Sequence, residues 1–177
     1  MNDVAADTRV TIRPARESDA PLLCAAERTI ARTPGRLVSL PEELIEANFA
    51  AKILEKTGSD TYLVAERDGI VVGHAFLEAP SPQRRVAHVR YLNLVVHAPY
   101  AGQSIGTNLL RALLAATKKN GIERIELRVR ATNQAAINLY TKCGFTHEFT
   151  SRRRIKLEDG TYLDDISMVW FSDGAEA

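Results

Sequence analysis

The sequence predicts an α/β domain in which seven strands are interleaved with four helices. Three observations carry that prediction. Short runs that alternate apolar and polar residues recur along the chain, separated by stretches with helical spacing. Two Asp-Gly pairs, Asp68-Gly69 and Asp159-Gly160, each join two apolar runs and mark hairpins, because both turn residues take positive φ. The chain has 177 residues, 45% hydrophobic and 25% charged. That is the make-up of one folding unit able to bury roughly 70% of its unfolded surface without disulfide staples.

Each element follows from local signals. Arg9 to Arg13 alternates apolar and polar and stops at Pro14, as an opening strand does. Ser18 or Asp19 caps the first helix, with Pro21 in its first turn and Leu22, Ala26 and Ile30 at helical spacing; Pro34-Gly35 breaks it. Ser39-Leu40-Pro41-Glu42 matches a capping box for a second helix with a buried stripe of Ile45, Phe49 and Ile53, ending at Lys56-Thr57-Gly58. Tyr62 to Ala65 and Ile70 to Phe76 form the first hairpin. Ala79 to Arg85, with two prolines and two arginines, reads as an exposed loop, and Val86 to Val96 as a central strand.

The third helix starts near Ser104 and puts Ile105, Leu109, Leu110, Leu113 and Leu114 on one face. It closes on Lys118-Lys119-Asn120-Gly121, where cations meet the negative helix end and Gly121 takes the left-handed cap. Ile125, Leu127 and Val129 then alternate with Glu126, Arg128 and Arg130 on a further strand. Asn133 to Lys142 is a short helix stopped by Gly144, and Phe145 to Leu157 pairs with Thr161 to Trp170 in the second hairpin. Ser172 to Ala177 reads as a frayed tail. No repeat or linker interrupts the chain, so one domain is expected over 1–177, with its core at about 8–171.

Charge and composition exclude several functions. Lys+Arg 23 against Asp+Glu 22 gives a net charge of +1, too little to hold a nucleic-acid backbone. Cys24 and Cys143 form no Cys/His cluster, so no metal is expected, and they read as reduced thiols. Met1 to Asp7 lacks the basic and apolar run of a signal peptide, and no stretch reaches the ~20 apolar residues that span a bilayer. The expectation is a cytoplasmic protein without a membrane or nucleic-acid partner.

Signals for chemistry concentrate where the long strand meets its helix, at Leu94 to Thr107. A small-residue loop entering a helix leaves several backbone N–H groups unpaired, backed by the positive end of the helix dipole, and such a terminus holds phosphate. Taken alone, the loop reads equally well as a tight turn with no ligand. The second signal is the segment Asn133-Gln134-Ala135-Ala136-Ile137-Asn138-Leu139-Tyr140-Thr141-Lys142-Cys143-Gly144-Phe145, where the combination matters more than any single residue. Together with the element order, these segments resemble the GNAT N-acetyltransferases, from Val10 to about Phe171.

The resemblance implies a mixed central sheet of about seven strands with helices on both faces, and acetyl-CoA as co-substrate. The family's phosphate loop reads Arg/Gln-x-x-Gly-x-Gly/Ala, which falls on Ala101, Ser104 and Gly106. Only Gly106 fits strictly: Ala101 removes a long polar side chain and Ser104 replaces a glycine, though a serine can cap a helix or donate to phosphate. Backbone groups of Ala101, Gly102, Gln103, Ser104, Ile105, Gly106 and Thr107 would surround the pyrophosphate, with Gly102 and Gly106 admitting it closely. Leu94, Val95 and Val96 would pair with the pantetheine arm like an added strand. There the strand is expected to splay from its neighbour, and the Val96 N–H would polarise the thioester carbonyl.

By the same resemblance Asn133 contacts pantetheine, and Tyr140 protonates the departing thiolate. Outside the motif, Tyr140 would read as an aromatic plug between helix and sheet. The acceptor base is left open among Glu78, His88 and Tyr91. In the ribosomal-protein N-terminal acetyltransferases a glutamate five residues before the motif asparagine is the base, and Arg128 holds that position here. Arg128 could instead grip an acceptor carboxylate, or pair with Glu126 or another surface acid.

The run Arg153 to Met168, with a basic strand, a glycine turn and Tyr162-Leu163-Asp164, looks like bacterial members that acetylate amino acids and related small amines. The expected partner is therefore a small-molecule amine, attacking acetyl-CoA directly in a ternary complex. A protein N-terminal or lysine acetyltransferase is the alternative. A CoA-binding module with little catalysis, suggested by Ala101 and Ser104, is a second. Many relatives pair through edge strands, which admits a homodimer.

Overall fold

Alternating apolar residues build a seven-stranded sheet in the order β1-β2-β3-β4-β5-β7-β6. The computed structural model describes residues 10–58 and 61–174. The strands are β1 (Thr11–Pro14), β2 (Tyr62–Arg67), β3 (Ile70–Glu78), β4 (Val89–Val96), β5 (Arg124–Arg130), β6 (Thr146–Lys156) and β7 (Tyr162–Phe171). The helices are α1 (Ala20–Ala31), α2 (Glu46–Glu55), α3 (Ile105–Thr117) and α4 (Gln134–Lys142). All neighbours run antiparallel except β4 and β5, which are joined by the crossover helix α3 that parallel pairing requires.

Helices cover both faces. Against one face, α3 packs Leu109, Leu110 and Leu113, all at 0% exposure, onto Ala75, Leu92, Ile125 and Leu127, while α4 adds Tyr140. Each such leucine contributes about 1.5–3 kcal/mol of hydrophobic burial. Against the other face, α1 and α2 bring Ala20, Leu23 and Ile53 onto Tyr62, Val64 and Phe76. The first hairpin turns through Asp68 and Gly69 at φ of 52° and 77°, and Gly121 takes the left-handed cap at φ 62°.

Several expectations shift. The part of the opening strand at Arg9, and the tail beyond residue 174, lie outside the described residues. Pro14 pairs with Leu63 as a strand residue rather than stopping the strand, which an edge strand tolerates. The capping box uses Glu43, whose carboxylate accepts from the Leu40 N–H at 2.8 Å, and it starts a one-turn 3-10 helix before α2. Ile45 consequently stands outside the helix and is 52% exposed instead of joining the buried stripe. Residues Arg84–Val86 form a 3-10 turn, so β4 begins at Val89. Arg130, which alternates with the apolar residues of β5, is buried as they are.

Candidate active site

The sheet opens in its middle. Strands β4 and β5 pair at Val89↔Arg124, Arg90↔Ile125 and Tyr91↔Glu126, and the ladder then stops although the strands continue to Val96 and Arg130. On its other side β4 stays paired with β3 as far as Val96↔Gly73. His97 N–H donates to Val72 O at 3.0 Å, which sets the alternation along β4. By that alternation Val95 also bonds to β3, while Leu94 and Val96 turn their N–H and C=O groups toward the open edge. The three residues expected to act together are thus divided. Backbone groups with no strand partner in a cleft demand one from a ligand or water.

Gly73 makes this geometry possible. A Cβ there would stand 2.9 Å from the Val95 carbonyl oxygen and 3.3 Å from Val96 Cα, so only glycine lets β3 approach β4 opposite Val96. A cavity of about 880 Å³ runs along the open edge, from the α3 entry to the α1–α2 loop.

At one end the chain leaves β4 through a 3-10 turn, Ala98–Tyr100, and enters α3 at Ile105. The first intrahelical bond runs from Asn108 N–H to Ser104 O at 3.0 Å, so the N–H groups of Ile105, Gly106 and Thr107 precede the helical ladder. Gly102 has φ 76°, which glycine adopts freely. Ser104 has φ 60°, a left-handed conformation rather than the extended one of a capping residue, so the cap expected of it is not formed. Gln103 is tied down, accepting from Arg67 at 2.6 Å, and the Arg67 guanidinium lies 5.7 Å from the Tyr100 ring centre. The glycine at Gly106 has a packing cause: a Cβ would stand 2.7 Å from Leu139 Cδ1 of α4, pointing at the cleft wall.

From α4, Asn133 caps the helix by accepting from Ala136 N–H at 3.3 Å, and both Asn133 and Tyr140 line the cavity. Tyr140 is 7% exposed, with its ring 5.8 Å from that of Phe145. Burial pushes its phenol up to about 12, so it keeps its proton at neutral pH. It is therefore a packed aromatic that also lines the cleft.

At the other end the walls are cationic and apolar. Arg128 is exposed on β5 and lines the cavity together with Arg154. Glu126 is taken by Arg124 at 2.8 Å, so the surface pairing considered for Arg128 does not form. Arg130 is ion-paired with Asp165 and donates from Nε to Gly35 O at 3.2 Å, anchoring the α1–α2 loop. That loop presents Leu37, Val38 and Ile45 to the cavity. Of the candidate bases, Glu78 is engaged by Lys52 at 2.6 Å and Asn93 at 3.1 Å. His88 lies off the cavity wall, and burial pushes the Tyr91 phenol up. Gly73, Arg67 and the Arg130–Asp165 pair went unread from sequence: a register match across strands leaves no local signal.

Known proteins resemble this chain in sequence and in fold. The family model described as "Acetyltransferase (GNAT) family" matches residues 27–145. A mycothiol acetyltransferase of Sanguibacter keddieii is 32% identical over 152 residues, covering 82% of this chain and 45% of that protein. An L-amino acid N-acetyltransferase of Escherichia coli is 33% identical over 108 residues, covering 60% of this chain and 65% of that protein. The chain thus spans about half to two thirds of the length of these two relatives. A phosphinothricin acetyltransferase of Sinorhizobium meliloti, solved in complex with acetyl-CoA, superposes with a TM-score of 0.81 at 20% identity, over 92% of this chain and 88% of that one. Fold, cleft and family match agree, and the chain belongs to the acetyltransferase (GNAT) family.

Proposed function

We propose that this chain transfers the acetyl group of acetyl-CoA to the primary amine of a small acceptor carrying a carboxylate, such as an amino acid. The observation that carries this reading is the broken β4–β5 ladder, which leaves Leu94 and Val96 with backbone groups aimed into the cleft. Those groups suit the amides of pantetheine as an added strand. The N–H groups from Gly102 to Thr107 suit its pyrophosphate, and Asn133, whose Oδ1 caps α4, has its amide nitrogen for pantetheine. Both reactants are then held together, which supplies much of the rate.

In this scheme the amine nitrogen attacks the thioester carbon while the Val96 N–H stabilises the oxyanion. As the C–S bond breaks, Tyr140 donates its proton to sulfur and regains one from the acetylated nitrogen. The acceptor class follows from the far wall: Arg128 has no acid partner among the described residues, and Leu37, Val38 and Ile45 offer apolar contact. A guanidinium there can take a carboxylate in bidentate fashion.

Coenzyme A release measured against amino acids, polyamines and short peptides tests the reading. Turnover with amino acids is expected, and Arg128→Lys should raise the acceptor KM while sparing that for acetyl-CoA. Activity confined to peptides would favour a protein acetyltransferase, and acetyl-CoA binding without turnover would favour a binding module.

A further inference from the structure

We infer that Glu27 is the base that takes the proton from the acceptor amine, and that His74 is a positioning residue holding its carboxylate from inside the sheet. The inference rests on the proposed acetyl transfer. Glu27 lies on α1 and lines the cavity, with a side chain 14% exposed. No lysine or arginine pairs with it among the described residues, whereas Glu78 is held by Lys52. A carboxylate that lines the cavity with no lysine or arginine bound to it has its oxygens available to an acceptor amine.

His74 supports it from beneath. The imidazole is fully buried, and Nε2 stands 3.0 Å from Glu27 Oε1. The contact is a close approach rather than an aligned hydrogen bond, since no acceptor lies in line with Nε2. Nδ1 lies 3.0 Å from the Tyr62 hydroxyl. Burial keeps the Tyr62 phenol protonated, so its hydroxyl can donate to Nδ1, which leaves Nε2 to carry its hydrogen toward Glu27. His74 also pairs across strands with Val95, between the two residues whose backbone groups face the cleft. Glu27 is thereby set over β4 where the acetyl group is expected.

The other groups facing this pair do not compete for the proton. His97 lies with its ring centre 6.4 Å from that of His74, and burial holds it down at about 4, so it stays neutral. Lys52 of α2 is turned to Glu78 and the Phe76 ring, and Arg28 to the Leu44 carbonyl at 2.7 Å. In the reaction the ammonium N–H bond breaks, its proton passes to the Glu27 carboxylate, and the freed lone pair forms the new C–N bond. The carboxyl then loses its proton to water at the cavity mouth.

The test is the pH dependence of kcat/KM for the acceptor, with acetyl-CoA and the panel of amino acids, on wild type and Glu27→Gln. At pH 7 the variant should lose roughly 100- to 10,000-fold. It should regain about tenfold per pH unit on approaching the amine pKa near ~9–10, because the acceptor then arrives deprotonated. Coenzyme A affinity by calorimetry should not change. His74→Asn, where it folds, should lower kcat less than Glu27→Gln does, with coenzyme A affinity retained. A folded Glu27→Gln enzyme whose profile parallels wild type overturns the inference and leaves the acetyl transfer standing. Wild type that turns over no amine overturns both.

Discussion

Replacing Asp165 with alanine leaves Arg130 charged, buried and without its partner. The two side chains are 9% and 3% exposed and form one ion pair between β5 and β7. Arginine cannot shed its proton to escape, and its remaining bond is to the Gly35 carbonyl. Breaking such a pair from one side costs about 3–5 kcal/mol. In a domain of this size each kcal/mol moves Tm by about 2–4 °C, so the melting point should drop by roughly 6–20 °C. The double variant Arg130→Met, Asp165→Leu removes both charges and should recover most of that loss, because apolar replacement of a buried pair is near neutral. Thermal and urea melts followed by circular dichroism measure both variants. A loss under ~1 kcal/mol for Asp165→Ala would mean that Arg130 reaches water without its partner. The Gly35 tether adds a functional consequence: below its melting point Asp165→Ala should raise the acceptor KM more than that for acetyl-CoA.

Tyr140→Phe keeps the ring against Phe145 and removes only the proton, so kcat should fall roughly 10- to 1000-fold with little change in coenzyme A affinity; full activity in a folded variant removes Tyr140 from the mechanism. Gly73→Ala would drive a methyl group into the Val95 carbonyl, so β4 must shift at the cleft; a loss of about 1–3 kcal/mol is expected in denaturant melts, together with weaker coenzyme A binding by calorimetry. Ser104→Gly removes a left-handed Cβ worth about 1–2 kcal/mol but adds about 0.4–1 kcal/mol of unfolded-state entropy. A thermal melt should therefore show Tm unchanged or raised by a few degrees, and a clear fall would show that Ser104 is not strained.

Much of the fold was legible because its signals are local. Asp68-Gly69, Gly121 and the apolar stripe of α3 each act within a few residues, and they stand where periodicity and turn chemistry put them. Boundaries slipped where tertiary contact overrides local preference. Pro14 continues a strand because β1 is an edge, and Ile45 faces a cavity that no periodicity reveals. In the candidate site the loop and α4 were readable as motifs, whereas Glu27 and His74 belong to different elements and meet only through the α1–sheet packing. The burial of Arg130 is not legible either, because its partner Asp165 comes from β7 and leaves the alternation of β5 unmarked.

If the open edge of β4 receives acetyl-CoA, amide hydrogen exchange resolved by residue will read it at that edge. On saturation with acetyl-CoA, the N–H groups of Leu94 and Val96 should slow by at least about tenfold, through new hydrogen bonds to pantetheine and to the thioester carbonyl. The Val95 N–H, already bonded to β3, should scarcely change. Unaltered exchange at Leu94 and Val96 with acetyl-CoA bound would place the coenzyme elsewhere.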